Sequence, residues 1–226
     1  MNYSLIIFDW DGTLMDSVGR IVSSMQYTAR VVGLNVPSES AVRDIIGISL
    51  LPAIDRLFGR LNEVQMAQFM QVYRQQYVYD DATPTGLFDG AHELLSDLRS
   101  RGFRLAVATG KARHGLERVW DETNSRHYFD YSRCADESES KPSPKMLLEL
   151  TEQAGVGVQQ ALMIGDSIHD MQMAQRAQMA AIGVSFGAHD SAQLKAAGAH
   201  AIISQLSELS SYVADDSSAV ALKELL

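Results

Sequence analysis

Leu5-Ile6-Ile7-Phe8-Asp9-Trp10-Asp11-Gly12-Thr13 is the stretch that decides the fold. Four consecutive apolar residues read as a buried strand. Asp9 and Asp11 follow at its C-terminal end, where open α/β sheets place their ligands. Gly12 lets the chain turn sharply away. Two like charges ~4 Å apart repel by ~4 kcal/mol at an effective dielectric near 20. An acidic pair at that place therefore calls for a cation, or for chemistry that uses it.

Outward from this stretch, strand and helix signals alternate from about residue 84 onward. Residues 103–108, 161–164, 180–184 and 201–203 read as strands, with a weaker one over 131–135. Between them the spacing is helical. Leu94, Leu95 and Leu98 follow Asp89-Gly90, and Met146, Leu147 and Leu150 follow Ser143-Pro144. Residues 112–121, 168–178 and 192–197 carry further helices. This rhythm predicts an α/β fold with a doubly wound parallel sheet.

Residues from Ser17 to Tyr79 break it. Ile21, Val22, Met25, Ala29 and Val32 share one helix face that ends at Gly33, and 43–46, 51–58 and 64–77 suggest three more helical pieces. Asp81-Ala82-Thr83-Pro84-Thr85-Gly86 reads as a return linker. The expectation is a core domain of residues 1–16 and 84–226, with an inserted all-helical cap domain of residues 17–83 over the end of the first strand. Met25, Met66, Phe69 and Tyr73 read as the packing of that insertion.

A chain of 226 residues can bury one good core with a smaller insertion. Its formal charge of −9 argues against nucleic acid or an anionic membrane as the main partner. It leaves room for a small anionic substrate, because a metal and backbone N–H groups supply a local positive field. Cys134 is the single cysteine, so no internal disulfide forms. That points to a reducing, cytoplasmic setting and to a thiol that packs rather than reacts. No apolar stretch approaches the ~20 residues of a membrane span. No basic segment leads into an apolar run at the N-terminus, so no secretory leader is expected. No long exposed apolar stripe stands out, which favours a monomer.

Three more signals fall at strand ends or loops, where they can converge on Asp9. Thr109 follows the strand over 104–108, and Lys141 stands in Lys141-Pro142-Ser143-Pro144 before a helix. Gly165-Asp166-Ser167-Ile168-His169-Asp170 follows the strand over 162–164, and its two aspartates, four apart, can face the same side. Taken singly each has a plainer reading: a turn, a solvated loop charge, acidic residues favoured at a helix N-terminus. His169 reads as a surface or packing histidine, and His114, His127 and His189 lack ligand-like spacing. Lys111 reads as a surface residue at a helix start. Trp10 reads as packing near the insertion, with its backbone mattering more than its ring.

As an ordered set, Asp9-x-Asp11-Gly12-Thr13, Thr109, Lys141-Pro142 and Gly165-Asp166-x-x-x-Asp170 resemble the haloacid dehalogenase-like superfamily of phosphohydrolases. The helical insertion resembles that family's first type of cap, and the nearest branch is the phosphoglycolate phosphatase-like one. The resemblance implies a Mg²⁺-dependent phosphatase acting on a small phosphorylated metabolite, such as phosphoglycolate or a sugar phosphate. It makes Asp9 the nucleophile that forms an aspartyl-phosphate, and Asp11 the acid and base. Mg²⁺, a hard ion that prefers oxygen, would lie on the Asp9 carboxylate, the Asp11 carbonyl and the Asp166 carboxylate, with Asp170 ligating through water or orienting the others. Lys141 would hold Asp9 and a phosphate oxygen. The Thr109 hydroxyl and the N–H groups of Trp10, Asp11 and Gly110 would bind the remaining oxygens. Arg43 and the loop Gly47-Ile48-Ser49 are the candidates for leaving-group contacts.

Other chemistries on this fold fit less well. A dehalogenase needs neither Asp11 nor Asp166. A phosphonate hydrolase of the family uses a cap lysine, and no lysine precedes Lys111. A β-phosphoglucomutase has an arginine three residues after the glycine matched by Gly47, where this chain has Leu50. A non-catalytic binding protein on the same fold would typically lack the nucleophile, and Asp9 is present.

Overall fold

A computed structural model describes residues 3–213; residues 214–226, assigned above to the core, lie outside them. Six strands form one parallel sheet: β1 (Leu5–Phe8), β2 (Arg104–Ala108), β3 (Tyr131–Arg133), β4 (Ala161–Gly165), β5 (Ala180–Val184) and β6 (Ala201–Ile203). Their order is β3-β2-β1-β4-β5-β6. The order reverses between β1 and β4, which is the crevice where doubly wound sheets bind ligands. Asp9 leaves β1 on one side of that crevice, and Asp166 leaves β4 on the other. Register places Phe8 opposite Val107 of β2 and Ile164 of β4, so the three strand ends are level.

Side chains alternate across the sheet with period two. Ile6 and Phe8 pack on one face with Leu94, Leu95 and Leu98 of α5 (Ala91–Ser100) and Leu116, Val119 and Trp120 of α6 (Arg113–Thr123). Leu5 and Ile7 pack on the other with Met146, Leu147 and Leu150 of α7 (Lys145–Ala154) and Met171 and Met173 of α8 (Ile168–Arg176). Both faces are covered, which is why β1 is apolar at every position.

Between β1 and α5 lie α1 (Val18–Val31), α2 (Glu39–Arg43), α3 (Leu50–Phe58) and α4 (Glu63–Gln75). They share a cluster of their own, in which Val18, Val22, Met25, Val42, Ile54 and Phe69 are buried, with Met66 and Tyr73 packed against it. Two details differ from the sequence reading. The second helix spans Glu39–Arg43 rather than residues 43–46, because the Ser38 hydroxyl accepts from the Ala41 N–H at 3.2 Å and starts it earlier. The fourth ends at Gln75 and continues as a widened π turn, Gln76–Asp80. The return segment is tied back to α1, where Ser24 Oγ donates to Asp81 at 2.9 Å and Arg20 Nη2 to the Thr83 carbonyl at 2.6 Å.

Phe69 is fully buried in this second cluster, whereas Val64, on the same helix, is 78% exposed. Phe69→Ala is expected to cost about 3–5 kcal/mol in urea unfolding. Val64→Ser should stay within about 0.5 kcal/mol of the parent.

Candidate active site

Two strand ends, the first turn of α8 and the loop before α7 bring four charged side chains to one point. Asp9 continues the ladder of β1, its N–H donating to the Ile164 carbonyl at 2.9 Å. Asp166 follows β4, and its carboxylate accepts from Thr13 Oγ1 at 2.9 Å and from the Ala188 N–H at 2.7 Å. Asp170 belongs to the capping box of α8: its Oδ2 accepts from the N–H and the hydroxyl of Ser167 at 3.1 and 2.6 Å. Its Oδ1 turns the other way, 2.7 Å from Lys141 Nζ, and the same ammonium lies 2.7 Å from Asp9 Oδ1. Oxygens of Asp9, Asp166 and Asp170 lie within 4.8 Å of one another. Gly12 is required beside them. Its φ is +77°, and a Cβ there would collide with the Asp166 carboxylate.

All four of these groups are almost wholly buried, and three carboxylates outnumber one ammonium. Burial pushes the Asp9 carboxyl well above the usual carboxylate range, against the pull of Lys141. Burial, then the neighbouring charge of Asp170, pushes Asp166 up to about 7. Burial opposes the charge on Lys141, but Asp170 and Asp9 outweigh it and hold the lysine above its ordinary value. Asp9 Oδ2 is buried with no hydrogen-bond partner among the described residues. The three carboxylates therefore fit a divalent cation, which would balance the excess charge and occupy the orphaned oxygen.

The other residues expected here also gather. The N–H groups of Trp10, Asp11 and Gly110 donate to no backbone or side-chain acceptor among the described residues. The Thr109 hydroxyl, fully buried, accepts from the Lys111 N–H at 3.1 Å. The turn at 47–49 sits directly over this edge. A Cβ on Gly110 would lie 2.7 Å from the Ile48 carbonyl oxygen and 2.8 Å from that of Gly47, so only glycine allows the approach. The Ser49 N–H donates to Ser140 Oγ at 2.9 Å. Arg43 points elsewhere: its guanidinium meets Glu39 at 2.9 Å and the Gly187 carbonyl at 3.2 Å, on the rim of the seam between insertion and core.

Two readings need correction. Lys111 is not a surface residue. Its Nζ lies 2.8 Å from Asp11 Oδ1 and 3.2 Å from the Tyr77 hydroxyl, and its side chain is 10% exposed. A lysine at a strand end beside an unpaired carboxylate buries itself by pairing with it. Trp10 does not pack at the insertion. Its ring continues the face of Ile6 and Phe8 and meets Trp120 and Phe129 edge-on at 6.5 and 6.1 Å. The period of β1 persists for two residues past its end. His169 is the packing kind of histidine, buried, with Nε2 2.9 Å from the Asp44 carbonyl oxygen.

The description haloacid dehalogenase-like hydrolase fits the chain over residues 6–184. The chain is 34% identical over 211 residues to the probable phosphatase IndB of Dickeya dadantii (strain 3937), covering 91% of each. It is 32% identical over 191 residues to a phosphoglycolate phosphatase of Agrobacterium fabrum (strain C58 / ATCC 33970), covering 82% of each. A hydrolase of Pseudomonas syringae has the same fold, with a TM-score of 0.81 at 23% identity, over 94% of this chain and 98% of that one. This chain belongs to the haloacid dehalogenase-like hydrolase family. It is an enzyme of the phosphatase kind within that family.

Within this family member, Thr13, Ser17, Ser167 and Tyr77 also hold the site; Thr13 and Ser167 stood in quoted motifs without a role of their own, and Ser17 and Tyr77 were not singled out. Ser17 Oγ donates to Asp11 Oδ1 at 2.5 Å. Ser17 lies within a few residues of the paired aspartates, and that proximity was the signal that could have found it. No described helix is long and apolar enough to cross a membrane.

An unfolded Asp titrates near ~3.9, and burial with the neighbouring charge of Asp170 pushes folded Asp166 up to about 7. Between those values the folded state holds a proton that the unfolded state releases. Without metal, this residue's contribution to stability falls as pH rises from about 4 to about 7 and stays low above that. Asp166→Asn in chelator should therefore gain Tm over the parent as pH rises from about 5 to about 8. Saturating Mg²⁺ should reverse that difference at pH 8. A Tm difference that does not change with pH would contradict the assignment.

Proposed function

We propose that this phosphatase is Mg²⁺-dependent and hydrolyses a small phosphomonoester through a phosphorylated Asp9. The observation that carries the reading is the Asp9 carboxylate: buried and, among the described residues, with one oxygen lacking a partner and the other held by Lys141 alone. A carboxylate so poorly solvated is a strong nucleophile once ionised. Asp9 attacks phosphorus while the phosphorus–oxygen bond to the leaving alcohol breaks and that oxygen takes a proton from Asp11. Water then attacks the same phosphorus and gives its proton to Asp11, and the Asp9 carboxylate leaves. Lys141, the Thr109 hydroxyl and the uncommitted N–H groups of Trp10, Asp11 and Gly110 hold the equatorial oxygens. Asp9, the Asp11 carbonyl and Asp166 would hold Mg²⁺, with Asp170 orienting them; when bound, the ion neutralises charge on the phosphoryl group.

The helices of residues 17–83 serve as a cap that closes over the sheet edge and excludes water. In this reading Gly47, Ile48 and Ser49 face the leaving group, and Arg43 docks the cap on the Gly187 loop. The substrates are small, in the range of phosphoglycolate and the sugar phosphates, as the phosphoglycolate phosphatase relatives suggest. Nucleic acid and membranes are not partners of this acidic protein, and a monomer suffices for the chemistry. The lone Cys134 suits a cytoplasmic enzyme.

Asp9→Asn is expected to lower Mg²⁺-dependent turnover of p-nitrophenyl phosphate by at least about 10³-fold. Chelation should abolish the parent's turnover, and added Mg²⁺ should restore it. Retained turnover in Asp9→Asn would remove the nucleophile assignment. A panel of metabolite phosphates should show one class with kcat/KM at least about tenfold above the rest, equivalent to about 1.4 kcal/mol of transition-state discrimination.

A further inference from the structure

We propose that Lys111 and Tyr77 are positioning residues for Asp11: they fix one carboxylate oxygen, leave the other to face substrate, and tie that aim to the helical insertion. This rests on the reading of Asp11 as the proton-transfer group.

The geometry is specific to one oxygen. Lys111 Nζ lies 2.8 Å and Ser17 Oγ 2.5 Å from Asp11 Oδ1. No partner among the described residues engages Oδ2, which is left for the substrate side. A carboxylate anchored at one oxygen by an ammonium and a hydroxyl cannot swing its other oxygen away. The Tyr77 hydroxyl, 3.2 Å from Lys111 Nζ, gives the ammonium a second partner, and the Tyr77 ring lies 5.2 Å from it.

Tyr77 brings the insertion into the arrangement. It sits in the π turn Gln76–Asp80 that leads to the return linker. Its ring stacks on Tyr73 at 5.8 Å, and Tyr73 stacks on Phe69 at 6.2 Å, inside the insertion's own core. A continuous run of packed rings thus ends on the ammonium that holds Asp11. Lys111 follows Thr109 and Gly110 at the end of β2, so its other anchor is the sheet. Asp11 is held in place only while insertion and sheet stand as they do here.

An ion pair that merely stabilised the fold would leave the chemistry of the leaving group untouched. The test exploits that difference. An alkyl leaving group needs a proton as its bond to phosphorus breaks, whereas p-nitrophenolate leaves without one. kcat/KM would be measured for p-nitrophenyl phosphate and for the best alkyl substrate among phosphoglycolate, glycerol phosphate and glucose 6-phosphate. Lys111→Met is expected to lower the alkyl value by about 10- to 100-fold and the aryl value by less than about 3-fold. Tyr77→Phe keeps the ring stack and should show the same selectivity with a smaller loss, about 3- to 10-fold. It decides the matter if Lys111→Met fails to fold. Equal losses on the two substrates, or no loss in a folded variant, would overturn the proposal. Neither result would touch the nucleophile assignment, which Asp9→Asn tests alone.

Discussion

Lys141 stands between Asp9 and Asp170, 2.7 Å from each, in a place almost without water. The rest of the site depends on this arrangement. Removing charges from water is costly, and the cost is offset only by close partners and well-placed dipoles. Here the ammonium serves two carboxylates, and the third, Asp166, leans on a hydroxyl and a backbone N–H. With all three carboxylates ionised the cluster would hold two negative charges beyond neutrality, and burial answers by raising Asp9 and Asp166 above the usual carboxylate range. Such a site is poised to take up a cation, and Asp9 Oδ2 has no partner among the described residues.

The scaffold explains how the excess is tolerated. Each carboxylate is delivered by a rigid element: Asp9 by the end of β1, Asp166 by the end of β4, Asp170 by the first turn of α8. Level strand ends and a strand-order reversal at β1 and β4 bring the first two together without any loop having to search for its place. Asp170 caps its own helix with one oxygen and faces the cluster with the other. The helix-capping side chain is thus also the one that meets Lys141 in the acidic cluster.

The seam above the site is built differently. Ser49 to Ser140, Arg43 to the Gly187 carbonyl and His169 to the Asp44 carbonyl are single polar contacts. Among the described residues, the insertion's own apolar cluster takes in only Ala188 from the core side. A seam of few hydrogen bonds and little shared apolar area is held less firmly than either of the bodies it joins. The aromatic run from Phe69 to Tyr77 is the exception, since it carries packing from the insertion directly onto Lys111.

Much of this was legible in the chain alone. Buried strands show as apolar runs, and residues that follow such runs must sit at the sheet's C-terminal edge, so Asp9, Thr109 and Asp166 could be placed together from local pattern. A helical spacing of four was the reading that joined Asp170 to Asp166, whereas Asp166 precedes the helix and the two meet because the α8 capping box turns Asp170 back on the strand end. What local pattern does not carry is the identity of a neighbour on another element. Lys111 looked like any lysine at a helix start; only the tertiary fold puts Asp11 within 2.8 Å of it, and that pairing is what buries it. Tyr77 depended on a π turn that widens the end of α4, a departure no helical period announces. The sequence by itself determined which residues reach the sheet edge, because periodicity and chain direction are local. The tertiary structure alone decided which of them touch, because contact and burial depend on elements distant in the chain.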